Sequence, residues 1–448
     1  MTRLDAILAR RSTGFLLFFA FLLLWATLAK AYTHSWQEES RLATVQALAE
    51  QGTFVIDHTD FDQTGDKVFV DGHFYSNKLP LFSAATAGVY SILHSALGMT
   101  LDPTPCVPAD DASACRAIGV GAARLTTFYW LTLLFAGVPS ALLVALFWKA
   151  LRDRGAGGLP STAWAILLGL TSPIAPYSIV YVGHVPAALC LFAGFKLLMD
   201  TGQPDAHALF RRNAFWAGLL LSVAANIDLL LSVFVLAVGV WIVARPSSDK
   251  RWASVAFAAG ALFPYALTAL MNYSAAGTIW PLYFDPKGYD YPGTAFGSTF
   301  GGTSGFSSLE FGLRYAYDML VGRRGLFAFT PVLLYGLAGM GSVIRDRRPW
   351  RGLTLAMLAG SVMLSAYLIA RTDNFGGLAW GTRWFVPLAP IVYFFIPVLL
   401  EKPRSRLWRA ILIGAVALSA WNVLSGVHDP WTDHRPVIYP ELTTLEYQ

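Results

Sequence analysis

The sequence predicts an all-α polytopic membrane protein, and its composition is the first reason. Of the 448 residues, 55% are hydrophobic and 14% are charged, whereas a typical soluble domain carries about 25% charged residues. Several apolar stretches approach or exceed the roughly 20 residues that a helix needs to cross a bilayer. The 15 Trp residues suit both the aromatic belts of membrane interfaces and surfaces that stack against carbohydrate.

The positions of the basic residues predict the orientation of the chain. Most Lys and Arg residues form short clusters between apolar stretches, and such clusters mark cytoplasmic loops. Because the basic residues lie in these short cytoplasmic loops, the net charge of +5 does not indicate a nucleic-acid partner. The first apolar segment follows a basic stretch and lacks a small-residue cleavage site, so we expect it to be a retained anchor.

This orientation predicts about eleven transmembrane helices. They cover residues 14–32, 120–149, 161–182, 184–200, 213–227, 229–245, 252–275, 326–344, 352–371, 384–400 and 408–426. A further apolar segment, 79–99, would place every later basic cluster outside if it crossed. We therefore expect it to lie along the membrane or to re-enter it. The alternative, in which the N-terminal basic residues face outward, stays open.

Four regions on the outward side are unusually polar or rich in Gly and aromatic residues. They cover residues 33–78, 183–184, 276–325 and 372–383. Long loops of this composition inside a compact membrane protein are usually functional or act as mobile lids. Cys106 and Cys115 bracket a short outward loop, where a disulfide is expected because the outside is oxidising. Two free thiols are the alternative.

The first outward loop carries most of the candidate chemistry. Residues 39–52 have the pattern of a short amphipathic helix, which we expect to lie flat on the membrane, and residues 52–57 predict an extended run or strand. The aspartates of the loop lack the Gly and the terminal Glu of a calcium-binding loop, so we interpret them as solvated loop acids. They are Asp57, Asp60, Asp62, Asp66 and Asp71.

Three motifs follow the first span in order. They are Glu38-Glu39-Ser40-Arg41-Leu42-Ala43, Gly52-Thr53-Phe54 and Lys78-Leu79-Pro80-Leu81. Together they resemble the D-E-x-R-Y-A, G-D-W and x-K-P-P-L segments of polyprenyl-phosphate-sugar-dependent glycosyltransferases of the GT-C superfamily, particularly the lipid A aminoarabinose transferases and protein O-mannosyltransferase relatives. Glu38 stands where the family has Asp, and Leu79 stands in place of the first Pro of K-P-P.

The resemblance covers the first 200 residues best and implies a chain of two parts. Residues 1–200 would form a GT-C-like transmembrane module that includes loop 33–78 and the non-crossing segment 79–99. Residues 201–448 would form a variable transmembrane module with the long loop 276–325.

The resemblance also implies the activity. A sugar would move, with inversion of its anomeric centre, from a polyprenyl-phosphate donor to an acceptor hydroxyl of a glycan, a lipid or a protein. The site would face the outside of the cytoplasmic membrane, among membrane lipids. No cofactor is predicted, and the need for a metal stays open.

Such a transfer needs a carboxylate that deprotonates the acceptor. Glu38 is the first candidate because it matches the leading acid of the family, and Glu39 is the second, although both could simply solvate or cap the helix. His184, at the start of a span, could assist the acceptor or orient Glu38, or be a solvated helix-end histidine. Asp228, near membrane depth, is an acceptor-site candidate or a turn residue.

The leaving phosphate needs cations beside it. The candidates are Arg41, Lys78, Arg323, Arg324 and Arg383. Arg41 could instead pair locally with Glu38, and Lys78 could simply extend its ammonium to the interface. Outward cations at span ends run against the usual charge bias, so we expect an anionic ligand there. Lys78 and Arg383 are expected to converge on one cavity shared with Glu38.

Two alternatives to an enzyme stay open, namely a transporter or flippase of lipid-linked glycans and an inactive glycan-binding scaffold. A transporter should place charged residues at mid-span and show repeat symmetry. This chain puts its charges in outward loops and shows no obvious repeat, which favours the enzyme.

Overall fold

The computed structural model describes residues 3–33, 35–101, 126–199, 207–294 and 308–439, and this part of the chain is mostly helical. In chain order the helices are α1 Arg3–Leu8, α2 Arg11–Leu28, α3 Trp36–Gln46, α4 Pro80–Leu97, α5 Thr127–Asp153, α6 Gly158–Thr171, α7 Ile174–Tyr177, α8 His184–Met199, α9 His207–Ile227, α10 Leu229–Ala244, α11 Lys250–Ala276, α12 Leu309–Leu320, α13 Leu326–Phe329, α14 Leu333–Arg345, α15 Arg351–Arg371, α16 Arg383–Leu400 and α17 Arg406–His428. Two strands, β1 Lys67–Val70 and β2 His73–Ser76, form an antiparallel hairpin.

The helical membrane class is confirmed by the length and composition of these helices. Within the described ranges, six are long and apolar enough to cross a membrane, namely α2, α5, α11, α15, α16 and α17. The helices α6, α8, α10 and α14 are apolar but shorter. The count of about eleven spans and the non-crossing path of segment 79–99, which forms α4, stay predictions.

One hydrophobic core connects the bundle. Its buried cluster runs from Leu17 to Trp431 and includes residues on both sides of position 200. Helices α9 and α11 approach closely because Gly218 and Gly260 face the partner helix, where any side chain would overlap a backbone carbonyl. Small residues allow such close packing between membrane helices. The division into two modules stays a prediction.

Two predicted spans are interrupted in the structure. The segment 161–182 does not form one helix, because α6 ends at Thr171 and Pro173 follows Ser172. The backbone then continues irregularly through a buried stretch that includes Val180 and Tyr181, and polar backbone of this kind is tolerated at membrane depth only inside protein. The segment 326–344 is likewise divided into α13 and α14.

The predicted extended run at 52–57 is wrong, because the strands lie at β1 and β2. The Asp71-Gly72 dipeptide between them has positive φ at both residues, 50° and 91°, as a two-residue hairpin turn of this kind requires. The register pairs Lys67 with Ser76. It therefore brings together the residues just outside the strands, Asp66 and Asn77.

The amphipathic helix predicted over 39–52 forms, but it does not present an apolar face outward. Helix α3 continues as a wider turn, Ala47–Gln51, that ends at Gly52. Leu42 and Val45 on this helix are fully buried, and α3 packs on α4 and on β2. The protein itself covers the apolar face, so this face does not rest on lipid. The expectation that the helix runs parallel to the membrane stays a prediction.

Candidate functional site

Buried and half-buried charged side chains meet where α3 and the hairpin face the first residues of α8, α10 and α16. The group, which we call the charged cluster, consists of Glu38, Arg41, Asp66, Lys78, His184, Asp228 and Arg383. Charge–charge interactions connect these residues: Arg383 acts on Asp66, Asp228 and Glu38, and Lys78 on Arg383 and Arg41. All of them except Asp66 are candidates from the sequence.

Glu38 is held at the N-terminus of α3 by hydrogen bonds to two segments. The Ser35 hydroxyl accepts a hydrogen bond from the Glu38 backbone N–H at 3.3 Å and donates one to Oε2 at 3.3 Å. The backbone N–H of Tyr181 donates to Oε1 at 3.0 Å. The side chain is 0% exposed. Glu38 thus closes a Ser-x-x-Glu cap and also ties α3 to the irregular stretch after α7.

Glu39 is half-buried and lies nearer solvent. Burial raises the pKa of its carboxyl, and the negative charge of Asp66 adds to this effect. A carboxylate with a raised pKa is better suited to accept a proton near neutral pH. Glu39 therefore stays the second candidate for the base.

The structure shows that the interpretation of Asp66 as a solvated loop acid is wrong. Asp66 is 8% exposed and pairs with Lys78, with Nζ and Oδ2 separated by 2.8 Å. Burial alone would raise the pKa of Asp66, but Lys78 and Arg383 outweigh burial and hold that pKa below its usual range. Burial, together with Arg383 and Arg41, lowers the pKa of Lys78. Lys78 therefore does not simply extend to an interface.

Two other aspartates of the loop are also engaged. Asp57 accepts a hydrogen bond from the Phe74 backbone N–H at 2.6 Å and contacts His73 Nδ1 at 2.7 Å. Asp60 accepts a hydrogen bond from Gln46 at 2.7 Å. These contacts fasten the loop to the hairpin and to α3, which positions the Asp66–Lys78 pair.

The guanidinium groups of Arg41 and Arg383 have donors without partners. Arg41 Nη2 donates to the Ile227 carbonyl at 3.2 Å, and the group lies 5.0 Å from the Phe82 ring centroid. Its Nε and Nη1 atoms, and Nε of Arg383, are buried without a hydrogen-bond partner. Burial lowers the pKa of Arg41, because the cation loses its hydration. Buried donors of this kind are costly unless an anion binds them.

His184 and Asp228 form a pair at the starts of α8 and α10. Nδ1 of His184 lies 3.2 Å from Oδ2 of Asp228, and the His184 residue is 4% exposed. The interpretation as a solvated histidine is therefore wrong. The other ring nitrogen, Nε2, is buried without a partner. Asp228 occupies the junction between α9 and α10, which also agrees with its interpretation as a turn residue.

Arg323 and Arg324 are engaged by the C-terminal segment. Both contact Asp433, with Arg324 Nη2 at 3.1 Å from Oδ1, and Arg324 also donates to the Ala379 carbonyl. The ring of Trp431, in the same segment, lies 5.5 Å from the Arg383 guanidinium. The predicted part of Arg323 and Arg324 in phosphate binding therefore stays a prediction, because an aspartate of the chain already contacts both.

The sequence interpretation missed Asp66, although a signal was present. An Asp-Gly dipeptide between alternating residues is a strong indication of a hairpin, and the register that it implies places residue 66 beside residue 77. The role of the Tyr181 N–H had no such signal, because it depends on a contact 143 positions apart in the chain.

The described residues offer no ready metal centre. Among them, no group of three or more His, Cys, Asp or Glu side chains could hold a metal ion. Cys106 and Cys115 lie outside the described residues, and so does their predicted disulfide. Cys190 on α8 is a free thiol, and its role as inert packing is expected from its position in an apolar helix.

No protein-family model, curated protein or solved structure matches this chain. The fold and the charged cluster define it as a helical, membrane-embedded protein with buried and half-buried acidic and basic side chains gathered at the ends of several helices.

Proposed function

We propose that the protein is a GT-C-type integral membrane glycosyltransferase that uses a polyprenyl-phosphate sugar. One observation carries the proposal: unpartnered N–H donors of Arg41 and Arg383 lie in the same buried cluster as Glu38. A phosphate would satisfy those donors, and a carboxylate beside it would accept the proton of an acceptor hydroxyl. The bundle of about eleven spans, the cytoplasmic membrane and the outward-facing site belong to this proposal.

The phosphate is assigned to the two guanidiniums. Lys78 is paired with Asp66, so the charge of Lys78 is neutralised within the cluster. The guanidiniums of Arg41 and Arg383 have the donors still to be satisfied. A planar guanidinium binds phosphate through parallel N–H donors, which gives both affinity and orientation.

The reaction then needs one proton acceptor. Glu38, or Glu39 in its place, takes the proton of the acceptor hydroxyl as the hydroxyl oxygen bonds to the anomeric carbon of the sugar. The bond from that carbon to the phosphate oxygen breaks, and the electron pair leaves with the lipid phosphate. Arg41 and Arg383 stabilise the charge that develops on the phosphate. The acceptor is a hydroxyl of a glycan, a lipid or a protein, and the reaction inverts the anomeric centre.

The position of the charges supports an enzyme over a transporter or an inactive scaffold. His184 and Arg383 are the first residues of α8 and α16, and Asp228 lies between two helices. A transport path would place ionisable groups along the interior of the spans. A scaffold would have no need for unpartnered buried guanidinium donors.

Lipid binding tests the proposal directly. We expect purified wild-type protein to bind polyprenyl phosphate, detected by native mass spectrometry, and Arg383→Met to weaken binding by about tenfold or more, because a hydrogen bond to a charged group contributes about 1.5–3 kcal/mol. Arg314→Met on α12, where the arginine pairs with exposed Glu310, is the control. Equal binding by wild type and Arg383→Met would contradict the phosphate assignment, and lipid transport without sugar transfer would favour the flippase.

A further inference from the structure

A groove opens beside Lys78, between the hairpin, the end of α11 and the turn at residues 281–283. It is partly open to solvent. Its lining includes Thr44, Tyr75, Asn77, Lys78, Asn272 and Tyr283. Of the charged cluster, Lys78 lines the groove, whereas Glu38, Arg41 and Arg383 do not. The predicted cavity shared by Lys78, Arg383 and Glu38 therefore stays a prediction.

Two buried amides in the lining have polar atoms without partners. Asn77 is 3% exposed and Asn272 is 4% exposed. Oδ1 of Asn77 and Nδ2 of Asn272 have no hydrogen-bond partner within the described part of the chain. The Nδ2 group of Asn77 donates to Oδ1 of Asp66 at 3.5 Å, and the Asn77 side chain also forms a hydrogen bond with Tyr289. The lining thus contains one amide oxygen and one amide N–H without a partner.

A sugar hydroxyl matches this pair of groups. Each hydroxyl both donates and accepts, so neighbouring hydroxyls can engage an amide oxygen and an amide N–H at once. The lining also includes the rings of Phe54, Tyr75 and Tyr283, and aromatic rings provide apolar surface for the C–H faces of a sugar. Buried polar groups without partners otherwise need an explanation.

We propose that this groove binds the polyhydroxylated sugar of the donor lipid through Asn77 and Asn272, with the phosphate toward Lys78 and the two guanidiniums. The inference rests on the proposed function and adds to it the site that holds the sugar. It assigns specificity to Asn272, which lies on α11, far in the chain from the first loop.

Asn272→Leu tests the inference, because it removes the amide and keeps the branched shape of the side chain. We expect its affinity for a polyprenyl-phosphate hexose to fall about tenfold or more, as the loss of a satisfied hydrogen bond in a buried site implies. Its affinity for polyprenyl phosphate without a sugar should stay unchanged. Its melting temperature should stay the same or rise, because an unpartnered buried amide has been removed.

The matched control is Thr268→Val. Thr268 lies one turn earlier on α11, is 4% exposed and also carries a buried hydroxyl without a partner, but it does not line the groove. Both affinities should match those of the wild type. If Leu does not fit at position 272, Asn272→Ala gives the same readout with less bulk.

The outcomes separate the two proposals. Equal affinity of the wild type for lipids with and without the hexose would overturn the groove and leave the phosphate site standing, as would unchanged hexose-lipid affinity in Asn272→Leu. Failure of the wild type to bind either lipid would overturn the groove and the proposed function together.

Discussion

Burial separates the roles of the acids in the first loop. Glu38 is enclosed and accepts hydrogen bonds from Ser35 and Tyr181, Glu39 is half-buried and near Asp66, and Asp66 is paired with Lys78. Three carboxylates close in space therefore have three environments. Different environments give the acids different proton affinities. Each acid can therefore have a separate function.

We expect Glu38→Gln to reduce sugar transfer by about 10²–10⁴-fold, the usual contribution of general base catalysis. The amide oxygen can still accept the Tyr181 N–H, so the fold and lipid binding should be retained. Turnover of the purified variant with a polyprenyl-phosphate sugar checks this, with the exposed Glu310→Gln as control. Transfer close to that of the wild type would move the base assignment to Glu39.

Glu39→Gln should stabilise the protein slightly at neutral pH. The pKa of Glu39 is raised above 4.5 in the folded state by burial and by Asp66, so its ionised form opposes folding at higher pH. The gain, below about 1 kcal/mol because the group is partly exposed, should vanish as the pH falls below 4.5, where the carboxyl is protonated in both states. Melting temperatures across that range measure it. A stability gain that persists at low pH would exclude the charge as its cause.

Asp66→Asn should destabilise the fold by about 2–4 kcal/mol, because it leaves the buried Lys78 ammonium unpaired. The pKa of Asp66 is held below 3.8 in the folded state, so the pair stabilises the protein above pH 3.8 and loses this effect as the pH falls through the lower folded-state value. The variant should therefore lose less stability in acid. Adding Lys78→Met should recover part of the loss. No recovery in the double variant would show that the Asn disrupts something other than the pair.

Among the local elements, the hairpin does most to position the cluster. Its two-residue turn fixes the register of β1 and β2, and this register brings Asp66 beside Asn77, next to Lys78. Tyr289 packs against Val68 and Tyr75 of the hairpin, so the long loop after α11 also depends on it. An irregular loop without strands would leave the ends of the segment free to move apart.

Gly72→Ala tests this dependence. Gly72 has a φ of 91° and open space around its Cα, so the cost is backbone strain alone, at about 1 kcal/mol or more. We expect a lower melting temperature and weaker lipid binding, because the strained turn loosens the Asp66–Lys78 pair. Gly341→Ala on α14, which also meets no neighbour, should instead be neutral or slightly stabilising. Unchanged lipid binding in Gly72→Ala would show that binding does not depend on the geometry of the hairpin.

The orientation of the whole chain leads to a prediction for the segment after α4. Cys106 and Cys115 are expected on the oxidising side, where they should form a disulfide. Mass spectrometry of unreduced peptides from protein isolated from intact cells should detect the linked pair. Two freely alkylated thiols would count against the orientation as well as against the bond.

Much of the fold and part of the candidate site follow from local sequence pattern. Apolar length and the placement of basic residues predict a helical membrane protein, because the bilayer imposes those features on each segment separately. Local pattern also predicts the helix starts at His184 and Arg383 and the turn at Asp228. The order of the acidic and basic candidates in the first loop can likewise be read directly from the sequence.

The remaining features depend on contacts between distant parts of the chain. Burial of Asp66, the break after Thr171 and the engagement of Arg323 by Asp433 each involve groups that only the folded bundle brings together. A buried polar group needs a partner, and local pattern does not specify which distant group supplies it. The sequence alone thus predicts which segments enter the membrane, whereas the tertiary structure establishes which charges are neutralised and which, at Arg41 and Arg383, still have unpartnered donors.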